Sequence, residues 1–144
     1  MHRNGLLACL VWFTSFAALP PAHAAEPDWQ MVGETGTYSV WVDVASLQKE
    51  GNVVKTWTKI EYKGPTPIFA SSKENQLSVR RREYFDCLAH SSALKSATSF
   101  SESNLKGDVV VKSSDAGQMK WKETAPGTVA DAILEFACAR APKQ

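Results

Sequence analysis

Histidine is scarce in this chain: three occur, and His2 and His23 stand in an N-terminal stretch that reads as an export leader. His90 stands alone, so catalysis by a pair or triad of histidines has no second member to draw on. A Gly-x-Ser-x-Gly elbow and a phosphate-cradling glycine loop are both missing. Cys87-Leu88-Ala89-His90 has a spacing seen at metal sites, but two ligands do not close a zinc site. Glu83 and Asp86 are not neighbours on one strand face, so the paired carboxylates of a glycosidase are not indicated. The expectation is therefore no metal, no cofactor and no enzymatic activity.

An excess of charge of one sign is lacking too. Sixteen Lys and Arg oppose fifteen Asp and Glu, and Arg3 of the leader is one of the sixteen. A chain this near neutrality gives no electrostatic reason to bind nucleic acid. The apolar run Leu6 to Leu19 is of secretory-signal length and too short to span a bilayer comfortably. Pro20-Pro21-Ala22-His23-Ala24 follows it with a helix break and a small-x-small cleavage pattern. Residues 1–24 are thus expected to be a cleaved signal peptide and residues 25–144 a single domain, with no transmembrane segment in the mature chain. Cys9 precedes most of the apolar run, whereas a lipoprotein leader needs that run before its cysteine, so lipidation is not expected.

Cysteine is limited to two residues after the leader, Cys87 and Cys138. Export puts them in an oxidising compartment, where such a pair forms a disulfide. A Cys87–Cys138 bond closes a loop of about fifty residues and stabilises by roughly 4 kcal/mol in the chain-entropy model. That is comparable with the whole net stability of a small domain.

What is present is mostly strand pattern. Trp29 to Gly33 reads as a first strand ended by the Gly33 to Gly36 turn, and Tyr38 to Asp43 as a second, with Tyr38, Val40 and Val42 on one face. Asp43 with Ser46 suits a turn in which the carboxylate accepts backbone N–H groups. Val53 to Tyr62 is the longest strand candidate, with Val54, Thr56, Thr58, Ile60 and Tyr62 on one face and Val53, Lys55, Trp57, Lys59 and Glu61 on the other. Trp57 among these charges either packs under the stems of Lys55 and Lys59 or belongs to a contact surface. Gly64-Pro65-Thr66-Pro67 stops this strand, and Ile68 to Gln76 reads as a long excursion. Leu77 to Cys87, Ser91 to Phe100, Val109 to Lys112 and Met119 to Glu123, centred on Trp121, read as further strands.

Thr128 to Arg140 is the one convincing helix, opened by a capping-box-like Thr128 and Asp131. Val129, Ala132, Ile133 and Phe136 share one face, Ala130, Leu134 and Cys138 an adjacent stripe. Only Asp131 and Glu135 mark a wet side. A helix apolar around so much of its circumference belongs in a concavity. The fold expected is α+β: a curved antiparallel sheet of about six strands with the helix on its concave face.

Arg80-Arg81-Arg82 is the sharpest charge feature. Alternation sends Arg80 and Arg82 to one side and Arg81 to the other with Val79, Phe85 and Cys87. The run is read either as a solvated strand that resists edge pairing or as a contact for an anionic partner. Arg81 on the helix side needs the sheet's rim or a carboxylate, for which Glu135 is a candidate.

The ordered set Trp29, Tyr38 with Asp43 and Ser46, Val53 to Trp57, Asp86-Cys87, Gly107 with Val109-Val110, Trp121, Pro126 and the helix with Cys138 resembles the bacterial surface-adhesin protein E family over about residues 29 to 138. The resemblance implies a half-barrel-like sheet with the C-terminal helix tethered to its concave side by the disulfide. It also implies adhesion to extracellular-matrix and serum proteins such as laminin, vitronectin and plasminogen. The expected function is an exported, non-enzymatic binding protein at the cell surface or in the periplasm, with Arg80, Arg82 and Trp57 as candidate contacts. The alternative is a periplasmic accessory or small-ligand protein holding an apolar ligand between sheet and helix beside Trp41 or Trp57. Oligomeric state is left open.

Overall fold

The structure is a computed structural model and describes residues 25–115 and 117–143. The signal peptide expected at residues 1–24 thus lies outside the described residues. Eight strands form one antiparallel sheet: β1 (Trp29–Glu34), β2 (Tyr38–Asp43), β3 (Gln48–Glu50), β4 (Val53–Pro67), β5 (Asn75–Asp86), β6 (Ser91–Phe100), β7 (Val109–Ser114) and β8 (Lys122–Glu123). The order is β1-β2-β4-β5-β6-β7, with β3 added beside the start of β4 and β8 beside the start of β6. One α-helix among the described residues, α1 (Val129–Arg140), follows. Six strands thus make the main path, as expected, and two short ones complete it.

Four of the five pairings along that path contain a register shift, which bends and twists strands and so curves the sheet around the helix. One of these shifts, between Glu61 and Thr66, corrects the sequence reading of β4. The strand does not stop at Gly64; it bends and resumes pairing at Thr66 and Pro67, where the disturbed ladder tolerates proline. The excursion before β5 is correspondingly short.

A second correction concerns Trp121, which lies before β8 rather than at a strand centre and is 39% exposed. The cause is competition for one edge. β7 occupies β6 from Phe100 to Ser96, and β8 can pair only with Ser92 and Ser91.

The core forms where the inward residues of β2, β4 and β5 meet α1. Val40, Val42, Val54 and Phe85 bury against Ile133, Leu134 and Ala137. Full burial of each large side chain is worth about 1.5–3 kcal/mol. Asp43 caps a 3₁₀ turn at Val44–Ser46 by accepting from Ala45 N, and it also accepts from Asp28 N at 2.9 Å. Thr128 caps α1 by accepting from Asp131 N.

Both ends of α1 are fastened to the short turn between β5 and β6. Cys87 and Cys138 form the disulfide, with Cα atoms 5.8 Å apart. His90 Nε2 lies 2.7 Å from Asp131 Oδ1, and Gly127 N donates to Asp131 Oδ2 at 2.7 Å. Asp131 is therefore buried, not on a wet side, and of the two acids Glu135 alone is exposed. Asp86 shapes the turn by accepting from Leu88 N and Ala89 N.

Candidate functional site

Strand alternation divides the charged residues of β4 and β5 between two faces. On the face away from α1, register pairs Trp57 with Arg82 and Lys59 with Arg80. Arg82 is thus directly across from Trp57 and Arg80 is its diagonal neighbour. Their guanidinium carbons lie 5.0 Å and 4.8 Å from the centre of the Trp57 ring. Each such contact contributes about 0.5–2 kcal/mol, depending on desolvation. The three candidate residues are brought together, and Trp57 is covered by arginines rather than by the stems of Lys55 and Lys59.

A second cation–aromatic group continues this face. Lys59 Nζ stands 5.3 Å from the Trp29 ring centre and 5.0 Å from that of Trp41. Its side chain is only 9% exposed, and its charge is met by Glu61 at 3.3 Å. Glu61 also accepts from Asn104 N, which ties the β6–β7 loop to this group. The outer face therefore holds three cations fixed against three indoles. A notch of about 530 Å³ opens beside them, walled by Trp29, Trp57, Arg80, Asp43 and the segment from Ala25 to Pro27.

The grouping of Lys59 with Trp29 and Trp41 on the outer face is not legible in the sequence, which offers Trp41 instead as a wall of an enclosed site. Alternation already placed Lys59 with Trp57 and sent Trp41 away from Val40 and Val42. What it lacked was the register Trp41↔Lys59 that joins the two strands.

The opposite face carries Arg81, whose partner is Glu83 at 2.7 Å and not Glu135. Residues two apart on one strand share a face, so this near neighbour reaches the guanidinium without help from the helix. The second oxygen of Glu83 accepts from the buried Thr58 hydroxyl. A cavity of about 330 Å³ lies between sheet and helix, walled by Tyr38, Val40, Ile60, Tyr62, Phe85 and Ile133 with Arg81 and Glu83 at one end. Burial pushes the Tyr62 phenol above its ordinary pKa, opposed by the Arg81 charge, so it remains a hydrogen-bond donor at neutral pH. Trp41 and Trp57 face the other way, so the tryptophans expected beside an enclosed ligand are replaced by Tyr38 and Tyr62.

Among the described residues, no group of three or more His, Cys, Asp and Glu is placed to hold a metal ion. Cys87 is in the disulfide and His90 binds Asp131, which removes the Cys87–His90 spacing from consideration. No helix among the described residues is long and apolar enough to cross a membrane.

An open, mostly antiparallel sheet with one disulfide-anchored C-terminal helix is the fold shared with bacterial surface adhesins of the protein E class. Residues 29–139 match the family model of surface-adhesin protein E, and the chain belongs to that family. Its solved structural relatives include crystal form II of Haemophilus influenzae protein E, with a TM-score of 0.59 at 14% identity over 87% of this chain and 98% of that one. A second structure of Haemophilus influenzae protein E matches with a TM-score of 0.56 at 14% identity, over 84% of this chain and 91% of the other. Protein E from non-typeable Haemophilus influenzae gives 0.55 at 14% identity, over 84% and 82%. At this identity the likeness is one of fold. No curated protein matches the chain in sequence.

Proposed function

We propose that this protein is an exported, non-enzymatic adhesin that contacts extracellular-matrix or serum proteins through the outer face of its sheet. Family membership supports the adhesin class. The observation that carries the finer reading is the pair of arginines over Trp57. Arginine and tryptophan dominate the energetics of many interfaces, and a guanidinium already held in place loses less freedom on binding. Acidic or sulfated patches on the partner suit two parallel cations, and laminin, vitronectin and plasminogen are the partners to test. Surface-protease treatment of intact native cells tests the location this reading needs. Cleavage of the protein without cell lysis agrees with it, and complete protection within the periplasm contradicts host adhesion.

A second reading, a small-ligand-binding protein, is favoured by the cavity between sheet and helix. It uses the opposite face and is compatible with the first.

A further inference from the structure

The cavity under the helix does not end at Arg81 and Glu83. These two residues and Ser92 also wall a neighbouring hollow of about 300 Å³, bounded by Leu94, Asp115, Lys120 and Lys122. The two hollows thus adjoin at these three residues, two unlike halves of a composite cleft. The inner half is apolar and aromatic. Its outer half carries three cations, Arg81, Lys120 and Lys122, against the carboxylates of Glu83 and Asp115.

The polar groups at the junction are unequally occupied. Both oxygens of Glu83 are engaged, one by Arg81 and the other by the Thr58 hydroxyl. Asp115 Oδ1 accepts from Gly117 N. Arg81, by contrast, has five N–H donors and meets Glu83 through Nη2, with 29% of its side chain exposed toward the cleft. No ion pair engages Lys120 or Lys122 among the described residues. The junction therefore has several donors to offer against one carboxylate oxygen, Asp115 Oδ2, that no hydrogen bond among the described residues engages. Each hollow is at the small end of the usual range for ligand pockets, about 300–1,000 Å³.

From these observations we infer that the cleft binds a small anionic amphiphile of the fatty-acid class. Its apolar chain lies among Tyr38, Ile60, Tyr62, Phe85 and Ile133, and its carboxylate meets Arg81, with Lys120 and Lys122 supplying further positive charge at the mouth. A planar guanidinium matches a carboxylate, and a chain in the inner half removes apolar surface from water. This inference rests on the small-ligand reading and is independent of the adhesin reading.

The test is calorimetric titration of the mature, disulfide-bonded protein with dodecanoate, and separately with dodecanol, both below their aggregation concentrations. Dodecanoate is expected to bind at one site, at least tenfold tighter than dodecanol. Arg81 is a poor first target, because its removal strands the buried Glu83. Ala130 is exposed and lines the inner hollow, so Ala130→Trp sets a bulky side chain at its wall to compete with the apolar chain for that space. That variant is expected to melt like the wild type and to lose dodecanoate binding. Lys120→Gln with Lys122→Gln is expected to weaken dodecanoate severalfold and leave dodecanol unchanged. Arg80→Glu with Arg82→Glu, on the opposite face, is expected to bind dodecanoate as the wild type does. Equal affinity for the acid and the alcohol overturns the anionic class while keeping a small-ligand site. Absence of binding by either probe, or full dodecanoate binding by a folded Ala130→Trp variant, overturns the site itself.

Discussion

His90 Nε2 and Asp131 Oδ1, forty-one residues apart in the chain, meet at 2.7 Å. The same turn that presents His90 also presents Cys87 to Cys138. One short turn therefore holds the helix near both of its ends. The inner cleft depends on that double attachment, because the helix forms one wall of it.

The carboxyl of Asp131 is held below its ordinary range, first by the Gly127 N–H and then by His90, with burial opposing. A depressed folded pKa means stabilisation that is complete above the unfolded value, near 3.9. It is lost as pH falls through the folded value. Asp131→Asn is therefore expected to lower the urea midpoint at neutral pH, with the gap from wild type closing in strong acid. A constant gap across that range would show that the carboxylate charge is not what fastens the helix.

Reduction of the Cys87–Cys138 bond is expected to destabilise by about 4 kcal/mol, lowering the melting temperature by roughly 10–20 °C for a domain of this size. Thermal scans with and without reductant, with mass analysis after alkylation, check this. Free thiols in the exported protein before reduction would contradict the bond.

Lys59 is buried between Trp29 and Trp41 and paired with Glu61. Lys59→Met removes the charge and leaves Glu61 largely shielded from water, at an expected cost of about 2–4 kcal/mol. Glu61→Gln in the same background is expected to recover part of it. The coupling from a double-mutant cycle measures the interaction, and strict additivity would show that the ion pair contributes nothing.

Local pattern was enough to find the helix, its Thr128 cap, the Asp43 turn, the cysteine pair and the two faces of β4. Those features rest on neighbours within a few residues or, for the cysteines, on compartment chemistry. Misread features depended on distant partners. Asp131 looks wet on a helical wheel, whereas Gly127 and the return of His90 in the β5–β6 turn give its carboxylate partners. Arg81 on the helix side needs the rim or a carboxylate, and the sequence alone does not decide between Glu135 on the helix and Glu83 on its own strand, which the structure pairs with it. Trp121 follows a strand rule that the crowded edge of β6 overrides. At the candidate contact, alternation placed Arg80 and Arg82 on one face and Trp57 on one face. That these faces are the same, and that Lys59 lies between two more indoles, is a matter of cross-strand register.

Arg80→Glu with Arg82→Glu replaces two exposed or half-exposed cations without touching the core, so the unfolding free energy is expected to change by about 1–3 kcal/mol at most, from lost contacts with Trp57. Emission from the tryptophans is expected to shift as that ring gains water. Unaltered emission would mean that the guanidinium groups do not cover it in solution.

The most direct measurement is equilibrium binding of the mature, disulfide-bonded protein to immobilised laminin, vitronectin and plasminogen at low and high salt, beside the Arg80→Glu, Arg82→Glu variant. The account predicts binding to at least one of the three, weakened by salt as expected for exposed charges and reduced at least tenfold by the charge reversal. Failure of the wild type to bind any of them, or undiminished binding by the folded variant, would contradict it.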